Sequence, residues 1–272
     1  MLYVVATPIG NLEDFSRRGA DVLGSVAMIA AEDTRRTRVL LDAIGASGIP
    51  ILALHSHNET AASEAVMARL EEGAAVALVS DAGTPLLSDP GFELVRACWQ
   101  RNVPVIPVPG ASAVATVLSV CPLPVGRFLF EGFLPAKPAG REERLMTLLR
   151  AGVPAVFFEA PHRMAATLED LQRLAPARRL MVGREMTKRH EQYLCDLPSA
   201  LLATLCGADQ LKGEFVCVLE GGEPAAAPPE VQRALEILLR ELPPAQAARL
   251  GAQLLGRNRR ELYDLALTLR RG

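Results

Sequence analysis

The chain has 272 residues, 50% of them hydrophobic, and a formal net charge of −2 at pH 7, so it holds enough apolar material for a core of one large domain or two medium ones. No apolar run reaches the roughly 18 residues a membrane span needs, and the N-terminus MLYVVATPIGN lacks the charged start, long apolar stretch and cleavage site of a secretory signal, which points to a cytoplasmic protein. The five cysteines, Cys98, Cys121, Cys195, Cys206 and Cys217, are scattered and never spaced Cys-x-x-Cys, so buried thiols are expected rather than a disulfide framework or a zinc site.

In chain order, residues 1–122 alternate short apolar runs (LYVVA, VAMIAA, ILAL, AAVALV, VPVIPV) with amphipathic segments (TRRTRVLLDAI, ETAASEAVMARLEE, GFELVRACWQR). That alternation predicts a mostly parallel sheet with helices on both faces. From 123 to 222 the runs are more aromatic and several are closely spaced (GRFLFEGFL, PAVFFEA, RRLMVGREM, HEQYLC, GEFVCVLEG), with helices over GREERLMTLLRA and HRMAATLEDLQRLA. A second α/β domain with antiparallel pairing follows from that pattern. GEPAAAPPE at 222–230 has the composition of a linker. Residues 230–272 then form a small helical unit of three short helices, whose last two have a helix–turn–helix-like pattern. Residues 231–272 carry eight Arg against four acids, a basic tail suited to a polyanionic partner or, failing that, a packing appendage.

Open α/β sheets bind ligands beyond the carboxyl ends of their strands, which directs attention to TPIGNLED (7–14), EDTRRTR (32–38), HSHNE (55–59), SDAGTPLLSDPG (80–91) and PGASA (109–113). The first of these has only Gly10, so the Gly-x-Gly-x-x-Gly dinucleotide signature is absent, and Pro8 removes an N–H that a pyrophosphate would use. Glu32 and Asp33 nevertheless stand where a ribose-binding acid would, and Arg35, Arg36 and Arg38 imitate a 2′-phosphate site, which keeps an NADP-dependent oxidoreductase open as the rival enzyme. In SDAGTPLLSDPG, Gly83 and Gly91 permit close backbone approach while Asp81 and Asp89 supply acceptors without a cation. Such a loop suits a ligand carrying ammonium or sulfonium charge; Asp89 also reads as a cap for a helix starting near Pro90. His55 and His57 share a face only if their strand persists, and no third ligand stands nearby, so a metal site is not expected. GREMTKRHE (183–191) is too dense in charge for a core and is either a solvated strand end or a substrate-facing surface.

Taken together, TPIGNLED, AEDTRRT, HSHNE, VSDAGTPLLSDPG, VPGASAV, RFLFEGFLP, FEAPHR, GREMTKRHE and LKGEFV resemble the ribosomal RNA small-subunit methyltransferase I branch of the tetrapyrrole-methylase superfamily. The resemblance covers roughly residues 1–220 and, more loosely, the tail. VPGASAV is shared across the superfamily; EDTRRT together with SDAGTPLLSDPG is specific to this branch. The resemblance implies an α/β protein of two tetrapyrrole-methylase-type domains with the cofactor cleft between them and a small C-terminal helical unit, a homodimer, S-adenosylmethionine as cofactor, and 2′-O-methylation of a cytidine ribose in 16S rRNA within the 30S subunit. Its implied cofactor contacts are Pro8, Ile9, Gly10, Asp81, Ala82, Gly83, Ser112, Ala113, Glu159 and Phe215. For a base that would deprotonate the ribose hydroxyl, Lys188, Glu191 and Asp33 are the candidates. Arg35, Arg36, Lys137, Arg163 and Arg189 are the cations expected to touch RNA phosphates. A ligand-responsive nucleic-acid-binding regulator that uses the tail is the non-enzymatic alternative.

Overall fold

The computed structural model of the protein describes residues 1–207, 211–222, 229–256 and 258–271. The chain begins with β1 (Leu2–Val5), a 3-10 turn at Leu12–Asp14, α1 (Arg17–Ser25), β2 (Met28–Ala31), α2 (Thr34–Ala43), β3 (Ile51–Ala53), α3 (Glu59–Glu71), β4 (Val76–Val79), α4 (Phe92–Gln100), β5 (Val105–Val108) and α5 (Ala113–Ser119). The five strands form one sheet in the order β3-β2-β4-β1-β5, and every pairing is parallel. Pro107 has no N–H to give a second neighbour, and β5 accordingly lies at the edge.

The two-residue period of the strands divides this core. Leu2, Ala30, Val76 and Leu78 pack on one face with Val66, Leu70 and Leu94 of α3 and α4. Val5, Ile29, Ala31, Ala77 and Val79 pack on the other with Leu23, Leu40 and Leu41 of α1 and α2. Both faces being covered explains why β4 is apolar at every position.

The second half contributes β6 (Leu129–Phe133), α6 (Pro138–Ala151), β7 (Ala155–Glu159), α7 (Pro161–Leu174), β8 (Leu180–Arg184), β9 (Gln192–Asp196), α8 (Pro198–Gly207) and β10 (Phe215–Leu219). Its sheet runs β6-β7-β10-β8-β9. Only β6 and β7 are parallel, and β10 enters antiparallel between β7 and β8. Three helices follow: α9 (Pro229–Glu241), α10 (Pro244–Leu255) and α11 (Arg259–Arg271). They pack through Val231, Ala248 and Leu262 in one cluster and Leu235, Ala247 and Ala266 in another. By contact density the chain forms two compact units, one of Met1–Leu145 with Pro154–Glu220, the other of Met146–Val153 with the segment from Gly221 onward. No helix among the described residues is long and apolar enough to cross a membrane.

Some local expectations are corrected. Of the five thiols only Cys98 and Cys217 are buried, and Cys206 is exposed. The helix expected near Pro90 begins at Phe92 behind Gly91, and its first N–H groups are not capped by Asp89. Strand β3 stops at Ala53, and Asn58 starts α3, so His55 and His57 stand in a turn rather than on a strand face. Most of the Pro/Ala linker, 223–228, lies outside the described residues.

Candidate active site

Register places the site. Val5 of β1 pairs with Val79 of β4 and Val108 of β5, and Ala31 of β2 also pairs with Val79, so four strands end level and their loops gather on one edge. In the second sheet Phe215 pairs with both Glu159 and Arg184, which brings the start of β10 to the ends of β7 and β8. A cavity of ≈ 380 Å³ is walled by these loops and this strand edge, with Ile9, Glu32, Asp81, Gly83, Asp89, Ser112, Ala113, Phe158 and Phe215 among its lining.

The loops are tied to one another. Thr7 and Gly83 exchange backbone hydrogen bonds of 2.9 and 3.0 Å, Thr7 Oγ1 donates to Ser80 O at 3.1 Å, and Thr84 Oγ1 donates to Ala111 O at 3.1 Å. Gly83 has φ +85°, and a Cβ there would come within 3.2 Å of Ile9 Cγ2 and 3.7 Å of Ala111 O. Glycine answers both demands, a left-handed backbone and a close three-loop junction.

Three carboxylates dominate the electrostatics. Burial, followed by the charge of Asp81, raises the Glu32 carboxyl above its ordinary value. Burial, with the charges of Glu32 and Asp81, pushes Asp89 up to about 6. Asp81 accepts from the Asp33 N–H at 2.9 Å and faces the Arg36 guanidinium at 3.5 Å. A cavity whose carboxylates repel one another is stabilised by an incoming cation. Phe158 and Phe133, with ring centroids 5.4 Å apart, supply an apolar wall opposite.

Several sequence candidates meet here: Ile9, Asp81, Ala82, Gly83, Ser112, Ala113, Glu159 and Phe215 all line the cavity. Pro8 and Gly10 line an adjoining, smaller cavity of ≈ 180 Å³ that shares Arg36 and Asp81 with the first. Gly10 has a separate reason to be glycine, since a Cβ there would lie 2.4 Å from Lys188 Cγ and 2.9 Å from Thr187 Oγ1. The first loop thus presses on the turn after β8.

The structure reassigns others. Arg163 was expected on RNA; instead it is an inward-facing residue, with its guanidinium on the Glu159 carboxylate and on Leu134 O and its side chain only 15% exposed. Glu159 lines the cavity, but its carboxylate is committed to Ala160 N, Arg163 and Thr167 Oγ1. Asp33 is the N-cap of α2 and is paired with Arg35 at 2.7 Å. That side-chain hydrogen bond holds its carboxyl well below the usual range, which makes it a poor base. Lys188 bonds Glu185 and Glu214, each at 3.0 Å; burial alone would lower its pKa, but those partners outweigh it and raise it, so the amine stays protonated. Glu191 is exposed and accepts from Thr187 N. Lys137 and Arg189 are exposed.

The Arg35, Arg36 and Arg38 pattern does not make a 2′-phosphate site, because Arg35 is bound to Asp33 and Arg36 faces Asp81. That removes the basis for an NADP pocket. Sequence reasoning underrated Glu32, read only as a ribose ligand; Asp89 is read both as an acceptor for a cationic ligand and as a helix cap, and the cap is not formed. Their position in the loops after β2 and β4 is the available signal.

A parallel sheet and a mixed sheet, with ligand loops gathered at the strand ends of the first, define an α/β fold of the methylase type, and the comparisons agree. A family model described as Tetrapyrrole (Corrin/Porphyrin) Methylases matches residues 1–201, and one described as RsmI C-terminal HTH domain matches 225–270. Proteins named ribosomal RNA small subunit methyltransferase I are similar over nearly the whole chain. The one from Xylella fastidiosa is 48% identical, covering 96% of this chain and 97% of its own. That from Pseudomonas aeruginosa is 44% identical over 98% and 96%. Among solved structures, diphthine synthase superposes with TM-score 0.61 at 14% identity, covering 81% of this chain and 90% of its own. Uroporphyrin-III C-methyltransferase from Thermus thermophilus, in complex with S-adenosyl homocysteine, gives 0.55 at 15% identity, covering 80% and 96%. The chain belongs to the tetrapyrrole methylase family and, within it, to the ribosomal RNA small subunit methyltransferase I group.

Proposed function

We propose that the protein is an S-adenosylmethionine-dependent methyltransferase that methylates the 2′-hydroxyl of a cytidine ribose in 16S rRNA, with the acid-lined cavity as its cofactor site. The observation that carries this reading is the cluster of Glu32, Asp81 and Asp89 at the strand ends, opposed by Arg36 alone among the cavity's lining residues. The cofactor, when bound, supplies an activated methyl on a sulfonium centre. Carboxylates at Glu32, Asp81 and Asp89 favour its ammonium and sulfonium charges, while Ile9, Val114 and Phe158 exclude water.

The protein's main contribution is alignment, holding a ribose oxygen in line with the methyl carbon, an effect that reaches about 7–11 kcal/mol in well-oriented systems. Lys188, held as an ammonium beside Gly10, is better suited to an RNA phosphate than to proton abstraction. Lys137 and Arg189, both exposed, are read as further phosphate contacts, whereas Arg35 and Arg36 are engaged by Asp33 and Asp81. The division into 1–122, 123–222 and 230–272 then separates cofactor loops, closing sheet and RNA-holding helices. A homodimer is supported by Phe128 and Leu129, which the edge strand β6 and its approach leave 41% and 40% exposed. The substrate is read as the assembled 30S subunit.

Calorimetric titration with S-adenosylhomocysteine and NADPH side by side tests the cofactor. A Kd in the micromolar range, about −8 kcal/mol, is expected for the first and none for the second. Transfer of labelled methyl to unmodified 30S subunits, mapped to a cytidine ribose, tests the substrate. Saturable NADPH binding with no response to S-adenosylhomocysteine would overturn the reading.

A further inference from the structure

HSHNE (55–59) is a sequence motif that the cofactor cavity leaves unused, for none of its residues lines it. We propose that Glu59 is a positioning residue: its carboxylate, carried on the first turn of α3, holds the far end of the Ser80–Gly91 loop and thereby sets Asp89 in the cavity wall. This rests on the cofactor reading given above.

Helix α4 starts behind Gly91, which has no side chain to cap it, yet the first N–H groups of a helix need acceptors. Glu59 Oε1 accepts from Gly91 N at 2.9 Å and from Glu93 N at 3.0 Å, across more than thirty residues of chain. A carboxylate at the positive end of a helix is favoured twice, by the hydrogen bonds and by the dipole. Glu59 is itself fixed from behind. Asn58 Oδ1 accepts from His55 N at 2.8 Å and its Nδ2 donates to Ala53 O at 2.9 Å, which ties the start of α3 to the end of β3.

The loop needs an anchor at that end. Its near half is held by Thr7 and by Thr84, but Leu86 at φ +72° and Ser88 at φ +75° then take left-handed conformations that an L-residue keeps only when its surroundings impose them. Asp89 comes next, with Glu32 and Asp81 repelling its charge. Among the described residues, Glu59 makes the side-chain hydrogen bonds that reach the backbone between Leu86 and Glu93. Without it, the segment keeps the packing of Leu86 and the hydrogen bond from Ser80 to Asp89 but loses its backbone anchor at the α4 end.

The test compares the full chain with E59Q, E59A and L23A. Leu23 is fully buried on α1 in the opposite core cluster, which holds no residue of 80–93, and L23A lowers stability without touching the loop. S-adenosylhomocysteine affinity, melting temperature, amide exchange over residues 86–93 and the KM against kcat split for S-adenosylmethionine are measured on each. E59A should raise Kd about tenfold, as happens when the binding-competent fraction falls to about a tenth, with KM rising and kcat near wild type. Exchange at Gly91 and Glu93 should quicken. E59Q retains the acceptor oxygen and should stay within about threefold of wild type. L23A should melt lower with unchanged affinity. Equal affinities in E59A and wild type, an equal loss in L23A at matched melting temperature, or no rescue by E59Q would each overturn the proposal. Failure of wild type to bind S-adenosylhomocysteine would sink the cofactor reading instead, and exchange over 86–93 would still decide whether Glu59 holds the loop.

Discussion

Replacing Asp89 by Asn should make the ligand-free protein more stable and its cofactor binding weaker. Burial, and then the charges of Glu32 and Asp81, lift the Asp89 carboxyl from 3.8 to about 6, with a hydrogen bond from Ser80 offsetting only part. A carboxyl raised in the folded state contributes its stability below the unfolded value, near pH 4, and loses it as pH rises through about 6. A difference of that size corresponds to ~3 kcal/mol. Because the side chain is only partly buried, solvent screening reduces the expected figure to about 1–2 kcal/mol.

Asn keeps the shape and removes the charge. D89N should therefore melt about 3–6 °C above wild type at pH 7.5, and the two should converge near pH 4. Affinity shows the opposite sign. A cation in the cavity lowers the Asp89 pKa, so S-adenosylmethionine should bind wild type more tightly as pH rises through about 6, while D89N shows a flatter profile. S-adenosylhomocysteine, which lacks the sulfonium charge, should respond less. Calorimetric melts and titrations from pH 4 to 8 read both effects. A D89N protein that melts at or below wild type at pH 7.5, with a wild-type affinity independent of pH, would refute the argument that the acid cluster is built for a cation.

Arg163→Ala leaves the buried Glu159 carboxylate without its cation and should cost about 3–5 kcal/mol in urea denaturation; a loss of RNA affinity with unchanged stability would restore the arginine to the RNA surface. Lys137→Ala with Arg189→Ala removes two exposed cations that form no ion pair among the described residues. RNA affinity should fall and the salt slope flatten by roughly 1–2, with cofactor affinity unchanged; an unaltered slope would take both off the RNA path. Removal of residues 229–272 should raise KM for 30S subunits with kcat nearly preserved, the pattern of lost uniform binding. Loss of cofactor affinity in that shortened chain would mean that the helices serve the fold.

The alternation of apolar runs with amphipathic segments determined the parallel first sheet, because a strand buried on both faces must be apolar throughout, as Val76–Val79 is. The close-spaced, aromatic strands after 123 similarly determined antiparallel pairing for β8, β9 and β10, while β6 and β7 pair in parallel, and the loop motifs directed attention to the strand ends, where the cavity lies. Short helices escaped: Ala113–Ser119 is rich in Val and Thr and has the local texture of a strand, becoming a helix only where it packs Val114 and Val117 into the second core. Residue roles depended on tertiary structure for a physical reason. An arginine reads the same in sequence whether it reaches a phosphate or a carboxylate, and only the fold brings Glu159 under Arg163. Likewise Glu59 and Gly91 are distant in the chain, and nothing local to either states that one accepts the other's N–H. Charge patterns predicted that a cation-binding loop was present; the long-range pairing of β1, β2 and β4 decided which carboxylates would crowd together and be left wanting a positive charge.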